Sequence, residues 1–328
     1  MAFGLFVLLL SEKAESPPMR IITPADAVDF QNPVVTVGTF DGVHAGHADV
    51  IRSVISLARS HHGTSVVLTF DPHPRQFIDG AKAPSLLTTL PEKCARLEAL
   101  GLDILVVVPF NEALRQLSPD EFVQQFLVGW LRACHVVVGY DHGFGKDRQG
   151  GYDTMRALGN RFGFEVTSVA PSVVDQSPVS STRIRRALEA NHFEEAAILL
   201  GGHFPVWGRV VKGEGRGKAL GFPTANVSFN VLEKRSPPSG VYVAWVHFDK
   251  PLAAVVNFGQ RPTFGGEDWT FEVHILNFSG DLYGQTLKVE LVSRIREERK
   301  FENKDALIDQ IRKDKDIAEQ VLSQGNSL

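Results

Sequence analysis

A chain of 328 residues, 43% hydrophobic and 22% charged, has the length for about two domains and the apolar content to bury a core in each. A formal net charge of -4, with no block of five or six like charges, argues against nucleic acid as the main partner, because a phosphate backbone demands a basic surface. It leaves room for small phosphorylated ligands held by a few local donors. Two cysteines, Cys94 and Cys134, can build neither a disulfide framework nor a zinc cage, and both read as buried thiols of a protein kept in a reducing cytosol.

The chain opens on an apolar run from Met1 to Leu10. No basic residue precedes it, no small-x-small cleavage site follows in Ser11–Pro18, and about ten residues are too few to cross a bilayer. Residues 1–18 therefore read as a disordered leader or a misplaced start, with Met19 as an alternative initiator. No other segment is apolar for long enough to span a membrane, and the cytoplasm is the expected location.

From residue 33 to 170 short β-branched runs alternate with helical stretches. The runs Pro33–Val37, Ser65–Phe70, Ile104–Val108, His135–Gly139 and Phe164–Val169 are nearly continuously apolar, as strands covered on both faces are. Helical spacing marks Ala48–Ser60, Pro91–Leu100, Pro119–Arg132 and Asp153–Arg161. This alternation predicts an open parallel sheet with helices on its faces, which binds ligands beyond the carboxyl ends of its strands. Residues 183–202 read as a short helical connection ending at Gly201-Gly202.

Beyond that pair the pattern changes. Val206–Val211, Gly240–His247, Leu252–Val256, Trp269–Leu276 and Leu287–Leu291 are strand-like and separated by turn residues rather than helices, which predicts a small closed antiparallel barrel. A terminal amphipathic helix runs from about Asn303 to Leu322.

The residues with chemistry fall at predicted strand ends. After the first run come Gly38-Thr-Phe-Asp-Gly-Val-His-Ala-Gly-His47 and then a helix. Gly38 and Gly42 allow a tight turn and a close approach to ligand, and the new helix presents unpaired N–H groups to an anion. His44 and His47, three apart, face one side and can donate hydrogen bonds to phosphate oxygens. Alone, the pair also fits two surface histidines, or two zinc ligands lacking a third. Near residue 180, Ser180-Ser-Thr-Arg-Ile-Arg-Arg186 opens another helix: Ser181 and Thr182 suit a helix cap or a phosphate, and Arg185 suits a pyrophosphate clamp or simply a basic helix face.

In the second half, Gly208–Gly221 is a glycine-rich loop carrying Arg216 and Lys218. It leads into Phe222-Pro-Thr-Ala-Asn226, where Thr224 and Asn226 offer hard neutral oxygens for a Mg²⁺ shared with ATP phosphates. In Phe271–Leu276, Glu272, His274 and Leu276 share a strand face, and a Glu272 pointing inward is placed to take a proton from an attacking alcohol; a solvent-facing glutamate is the plain alternative.

The first two motifs resemble the HxGH and Ser/Thr-x-x-Arg pair of nucleotidyltransferases. With Thr69-Phe-Asp-Pro-His-Pro-Arg75 and Val138-Gly-Tyr-Asp-His-Gly-Phe-Gly145, the first half resembles the FMN-adenylyltransferase module of the prokaryotic bifunctional riboflavin kinase/FAD synthetases. The Pro-Thr-Ala-Asn stretch, Glu272 and Arg296-Glu-Glu-Arg-Lys-Phe301 resemble the riboflavin kinase domain of the same family. His142 departs from the pattern, since the family usually has an aromatic there.

The resemblance, over essentially residues 19–320, implies a nucleotidyltransferase-like Rossmann domain over 19–186, a linker over 187–202 and a kinase barrel over 203–328. It implies phosphorylation of riboflavin to FMN in the barrel and adenylylation of FMN to FAD in the sheet domain, with Mg²⁺-ATP as co-substrate and flavins as substrate and product. It assigns chemistry to Glu272, His44, His47 and Arg185. Nucleotide contacts go to Gly38, Phe40, Asp41 and Asp141, to Ser181 and Thr182, and to Gly215 and Lys218; Arg296 is assigned to flavin, and Thr224 and Asn226 to the metal. Three rivals keep part of this reading: a kinase with a degenerate adenylyl half, a flavin carrier without turnover, and an adenylyltransferase for another phosphorylated metabolite. The presence of His44, His47, Thr182 and Arg185 speaks against the first, that of Glu272, Thr224 and Asn226 against the second, and the kinase-like half against the third.

Overall fold

A computed structural model describes residues 17–26, 28–231, 233–263 and 266–324, leaving aside the side chains of 216, 218 and 261–268. The leader expectation for residues 1–18 thus lies almost wholly outside the described residues.

The first half is a six-stranded sheet, all of whose pairings are parallel: β1 (Arg20–Ile22), β2 (Val34–Val37), β3 (Ser65–Asp71), β4 (Ile104–Pro109), β5 (His135–Gly139) and β6 (Glu165–Val169), in the order β1-β4-β3-β2-β5-β6. Val35 and Val37 pack with the helical segment from Pro119 and with α6 (Tyr152–Phe162), while Val34 faces α1 (Ala45–Ser60). Both faces are covered, so apolar runs rather than alternation encode the strands. After β2 the chain builds β3 and β4 on one side, then crosses to β5 on the other. The crevice between β2 and β5 is therefore the switch point where such sheets bind ligands.

Local chemistry sets the helix starts. α3 (Leu90–Ala99) has a Thr89/Glu92 capping box with Pro91 in its first turn, and α5 (Pro119–Phe122) has a Ser118/Glu121 box with Pro119. The helix predicted over Pro119–Arg132 departs from α geometry after its first turn and continues from Val123 to Trp130 in wider π-type turns. Short helices α2 (Pro74–Asp79) and α4 (Glu112–Gln116) follow β3 and β4. The edge strand β1 escapes the sequence pattern because it has three residues, of which only Ile22 is buried.

A small hairpin, β7 (Val173–Val174) and β8 (Ser177–Pro178), leads to α7 (Ser181–Glu189) and α8 (Phe193–Leu200). Next comes a closed antiparallel barrel of β9 (Phe204–Val211), β10 (Ala225–Ser228), β11 (Gly240–His247), β12 (Pro251–Thr263), β13 (Gly266–Ile275) and β14 (Thr286–Arg296), ordered β10-β13-β12-β11-β14-β9. A one-turn helix, α9 (Arg216–Ala219), lies in the glycine loop, and α10 (Lys304–Gln324) packs outside the barrel against Val243 and Leu276. β10 was hidden in the Pro-Thr-Ala-Asn motif, since four residues with one buried side chain give no period. Residues 187–202 are more than a connection: Leu188, Phe193, Leu199 and Leu200 join the barrel core around Phe204 and Tyr242.

Candidate functional site

The turn after β2 is built around glycine and a strained backbone. Gly42 sits at φ +88°, a region open to glycine, and Phe40 and Val43 also take positive φ; for a β-branched residue that is rare. His44 then caps α1, its Nδ1 accepting the His47 N–H at 3.3 Å. The two imidazoles stack with ring centroids 3.6 Å apart, and the buried Phe40 ring stands edge-on to His47 at 5.2 Å.

Burial pushes the His44 pKa down to about 4 and that of His47 well below its ordinary value. Both are therefore neutral at pH 7. Because the His44 Nδ1 accepts a hydrogen bond, its proton resides on Nε2, leaving a donor for an incoming anion. His73, at the end of β3, repeats the device: it caps α2 by accepting the Arg75 N–H at 3.1 Å, and burial lowers its pKa to about 4.

Asp41, only 3% exposed, accepts the Leu87 and Thr88 N–H groups at 2.8 and 3.2 Å through Oδ1 and pairs with Arg185 Nη2 through Oδ2. Arg185 Nε donates to the Ser85 carbonyl at 3.0 Å. Two motifs 144 residues apart thus meet in one part-buried ion pair. Ser181 is not the cap of α7. Ser180 fills that role, accepting the Arg183 N–H at 3.3 Å, and the Ser181 hydroxyl instead donates to the Asp41 carbonyl at 3.0 Å. Thr182 remains exposed on the first turn. Asp141, exposed beyond β5, lies close enough for its charge to act on His44. His142, the departure from the family pattern, stacks on Phe144 with ring centroids 5.5 Å apart, and burial lowers its pKa to about 4.

In the barrel, Phe271, Val273 and Ile275 line the core. Glu272 and His274 accordingly stand on the outer face of β13, and the expectation of an inward Glu272 is corrected by the strand's alternation. Glu272 is in register with Asn226 on β10 and with Asn257 on β12, and Thr224 Oγ1 donates to Glu272 Oε2 at 3.4 Å. The glycine loop lies directly over these groups. A Cβ on Gly213 would come within 2.1 Å of Asn226 Nδ2, and one on Gly217 within 2.9 Å of Thr224 Oγ1. Gly215, at φ +71°, touches neither, and the Lys218 side chain lies outside the described residues. An open cavity of about 610 Å³, bordered by Gly213, Asn226, Phe229 and Trp269, adjoins the motif. Arg296 forms a forked pair with the buried Asp314 of α10 at 2.8–3.1 Å, next to the Phe301 ring.

Several residues here carried no sequence signal. Buried Lys93 donates to the Thr39 carbonyl at 2.7 Å and to Thr69 Oγ1 at 3.3 Å, and burial lowers its pKa. Thr88 Oγ1 accepts the Gly42 N–H at 2.9 Å. Glu298, which the sequence offered only as part of the Arg296–Phe301 motif, receives Asn257 Nδ2 at 3.0 Å and the Ser239 hydroxyl at 2.9 Å. Cys94 and Cys134 are free and half-buried rather than fully buried, and burial raises both thiols above their ordinary pKa, away from nucleophilic thiolates. Among the described residues no cluster of three or more His, Cys, Asp or Glu side chains could hold a metal, and no helix is long and apolar enough to cross a membrane.

The FAD synthetase family model matches residues 27–183 and the riboflavin kinase model residues 200–322. Curated relatives named bifunctional riboflavin kinase/FMN adenylyltransferase include those of Haemophilus influenzae, 36% identical over 88% of this chain and 94% of that protein, and Escherichia coli K12, 37% identical over 86% and 90%. That of Bacillus subtilis is 38% identical over 87% and 91%. A solved structure from Streptococcus pneumoniae, described as a macrolide-efflux protein, superposes with a TM-score of 0.81 at 31% identity, covering 91% of this chain and 98% of its own. With both halves matched in order over most of its length, the chain belongs to the bifunctional riboflavin kinase/FMN adenylyltransferase family.

Proposed function

We propose a residue-level division of labour for the two activities of this bifunctional enzyme, riboflavin + ATP → FMN + ADP and FMN + ATP → FAD + pyrophosphate. Adenylylation runs in the crevice between β2 and β5. There the FMN phosphate attacks the α-phosphorus of ATP and pyrophosphate leaves. Gly38, the turn at Phe40 and Asp41, and the first turn of α1 receive the phosphates, with neutral His44 and His47 donating to the charge that grows on the phosphoryl oxygens. Asp41 aims Arg185, whose Nη1 has no described partner, at the leaving pyrophosphate. Thr182 and Asp141 flank the nucleotide, and Ser181 supports it through the Asp41 backbone.

Phosphorylation runs on the outer face of the barrel. Glu272 takes the proton of the riboflavin hydroxyl as that oxygen attacks the γ-phosphorus. Thr224 and Asn226, with Glu272 beside them, form the kind of hard oxygen set that suits Mg²⁺; they would hold the ion, which neutralises phosphate charge when bound. Gly215 and Lys218 belong to the flap over the nucleotide. Arg296, steered by Asp314, borders the flavin. We assign residues 19–186 to adenylylation and 203–328 to phosphorylation, with 187–202 as the helical segment that joins them and packs into the barrel core, in a cytoplasmic protein whose partners are riboflavin, FMN and ATP.

The observation that carries this reading is the meeting of Asp41 with Arg185 beside the stacked histidines, together with the separate Thr224–Glu272–Asn226 group. Purified protein incubated with riboflavin and Mg-ATP should yield FMN first and FAD after it, resolved by chromatography. FMN without FAD would remove the adenylyl assignment. FAD from supplied FMN but no FMN from riboflavin would remove the kinase one.

A further inference from the structure

The loop between β10 and β11 sends one side chain of the kinase half into the adenylyl half. Lys234, 1% exposed, donates through Nζ to the Leu87 carbonyl at 2.6 Å and to Glu92 Oε2 at 2.7 Å, and it lies over the Phe204 ring at 4.5 Å. Glu92, equally buried, closes the α3 capping box and takes the Trp207 N–H of β9 at 3.0 Å. The backbones join here as well: Leu86 N–H donates to the Glu233 carbonyl at 2.8 Å, and Arg235 N–H to the Leu86 carbonyl at 2.7 Å. A buried ion pair is a weak source of net stability, because desolvation offsets most of the attraction. Its geometry is the more informative feature.

Segment 86–93, which Lys234 grips, reaches the phosphate turn at three points. Leu87 and Thr88 N–H groups hold Asp41, the Thr88 hydroxyl holds the Gly42 N–H, and Lys93 holds the Thr39 carbonyl. Asp41 in turn holds Arg185.

We propose that Lys234, a residue of the kinase half, is a positioning residue for adenylyl transfer, fixing segment 86–93 and through it the glycine turn and the Asp41–Arg185 pair. The proposal rests on the assignment of that turn and of Arg185 to ATP. The adenylyl site is then assembled from both halves of the chain, whereas none of the contacts made by Lys234 involves Thr224, Asn226 or Glu272.

The test uses the full-length chain as Lys234→Met and as Glu92→Gln/Lys234→Met, the double variant leaving no uncompensated buried charge. Adenylylation of FMN should fall between about 10- and 100-fold in kcat, the cost of a small misplacement, while the same preparation phosphorylates riboflavin within about twofold of the parent. In an Arg185→Ala background the further loss from Lys234→Met should shrink to a few-fold, since the guanidinium it positions is already gone. If the single variant fails to fold, the double variant decides. Parental adenylylation in the double variant, equal loss of both activities, or an undiminished loss in the Arg185→Ala background each overturns the proposal. Parental adenylylation by Arg185→Ala alone overturns the underlying site assignment, and this proposal with it.

Discussion

Glu272 shows how one side chain's meaning depends on which face of its strand it takes. In the barrel interior, among Phe271, Val273 and Ile275, a carboxylate would be costly to ionise. On the outer face, beside Thr224 and Asn226, it has polar company and is only half-buried. Glu272→Gln keeps the shape and removes the proposed base. Phosphorylation of riboflavin should drop by about 100- to 10,000-fold, the usual range for a lost general base, while FAD formation from supplied FMN persists. A variant that makes FMN at the parental rate would take this role from Glu272. His142 allows a test in pH. Its folded pKa of about 4 lies below the ordinary value near 6.5, so the folded state takes up its proton later than the unfolded one. The stability contribution is complete above about pH 6.5 and is lost as pH falls through about 4. His142→Phe keeps the stack on Phe144 and removes a buried Nε2 that has no hydrogen-bond partner. It should raise stability by about 1–3 kcal/mol at pH 5, with a smaller change at pH 7, and flatten the melting temperature between those pH values. An unchanged acid slope would show that this ring does not stay neutral.

At the scale of elements, the turn and first helix form one unit in which capping and the proposed catalysis share residues. His44 supplies both the α1 cap and a proposed phosphate donor; His47 supplies only the latter. His44→Asn should therefore preserve folding, because Asn caps well, and still impair adenylylation. His47→Ala should cost about 2.7–4 kcal/mol of transition-state stabilisation, roughly 100- to 1,000-fold, with riboflavin phosphorylation unchanged, so that FMN accumulates. Normal FAD output from His47→Ala would leave these histidines as structural residues. This unit was legible in the sequence because glycines, a buried strand and a helix start occur together within Val34–Ser60. Strands β2 to β5 were legible for a related reason: two covered faces make continuous apolar runs, even in the four buried residues of β2. β1 and β10 were not, being three and four residues long with one buried side chain each. Lys93, Thr88 and Glu92 were equally silent. They act through chain segments 24 to 54 residues away, or across the halves, and nothing local in Leu86–Lys93 distinguishes them from an ordinary capped helix start.

For the whole molecule, the change of pattern at Gly201-Gly202 suggests a boundary there, but the packing argues for a cut further upstream. Ile184, Leu188, Phe193, Leu199 and Leu200 of α7 and α8 are buried in the same core as Phe204, Val206 and Tyr242, and the Phe193 ring stands edge-on to Tyr242 at 5.3 Å. At about 1.5–3 kcal/mol for each large apolar side chain, these five contribute on the order of 7–15 kcal/mol, an upper value because some of that burial is against the sheet half. The entire stability of a domain is about 5–15 kcal/mol, so a barrel without the two helices loses a term of the same size as its total. A fragment beginning at Val179 should therefore fold cooperatively and phosphorylate riboflavin. One beginning at His203 should show no cooperative melt and little activity. Circular dichroism melts and a kinase assay on the two fragments decide the matter. If the shorter fragment melts at the temperature of the longer one, α7 and α8 are connectors and the barrel core is complete without them. If it melts far lower, the helices that carry Arg185 on one side and close the barrel on the other are the element the two halves hold in common, and no cut between them leaves both sites whole.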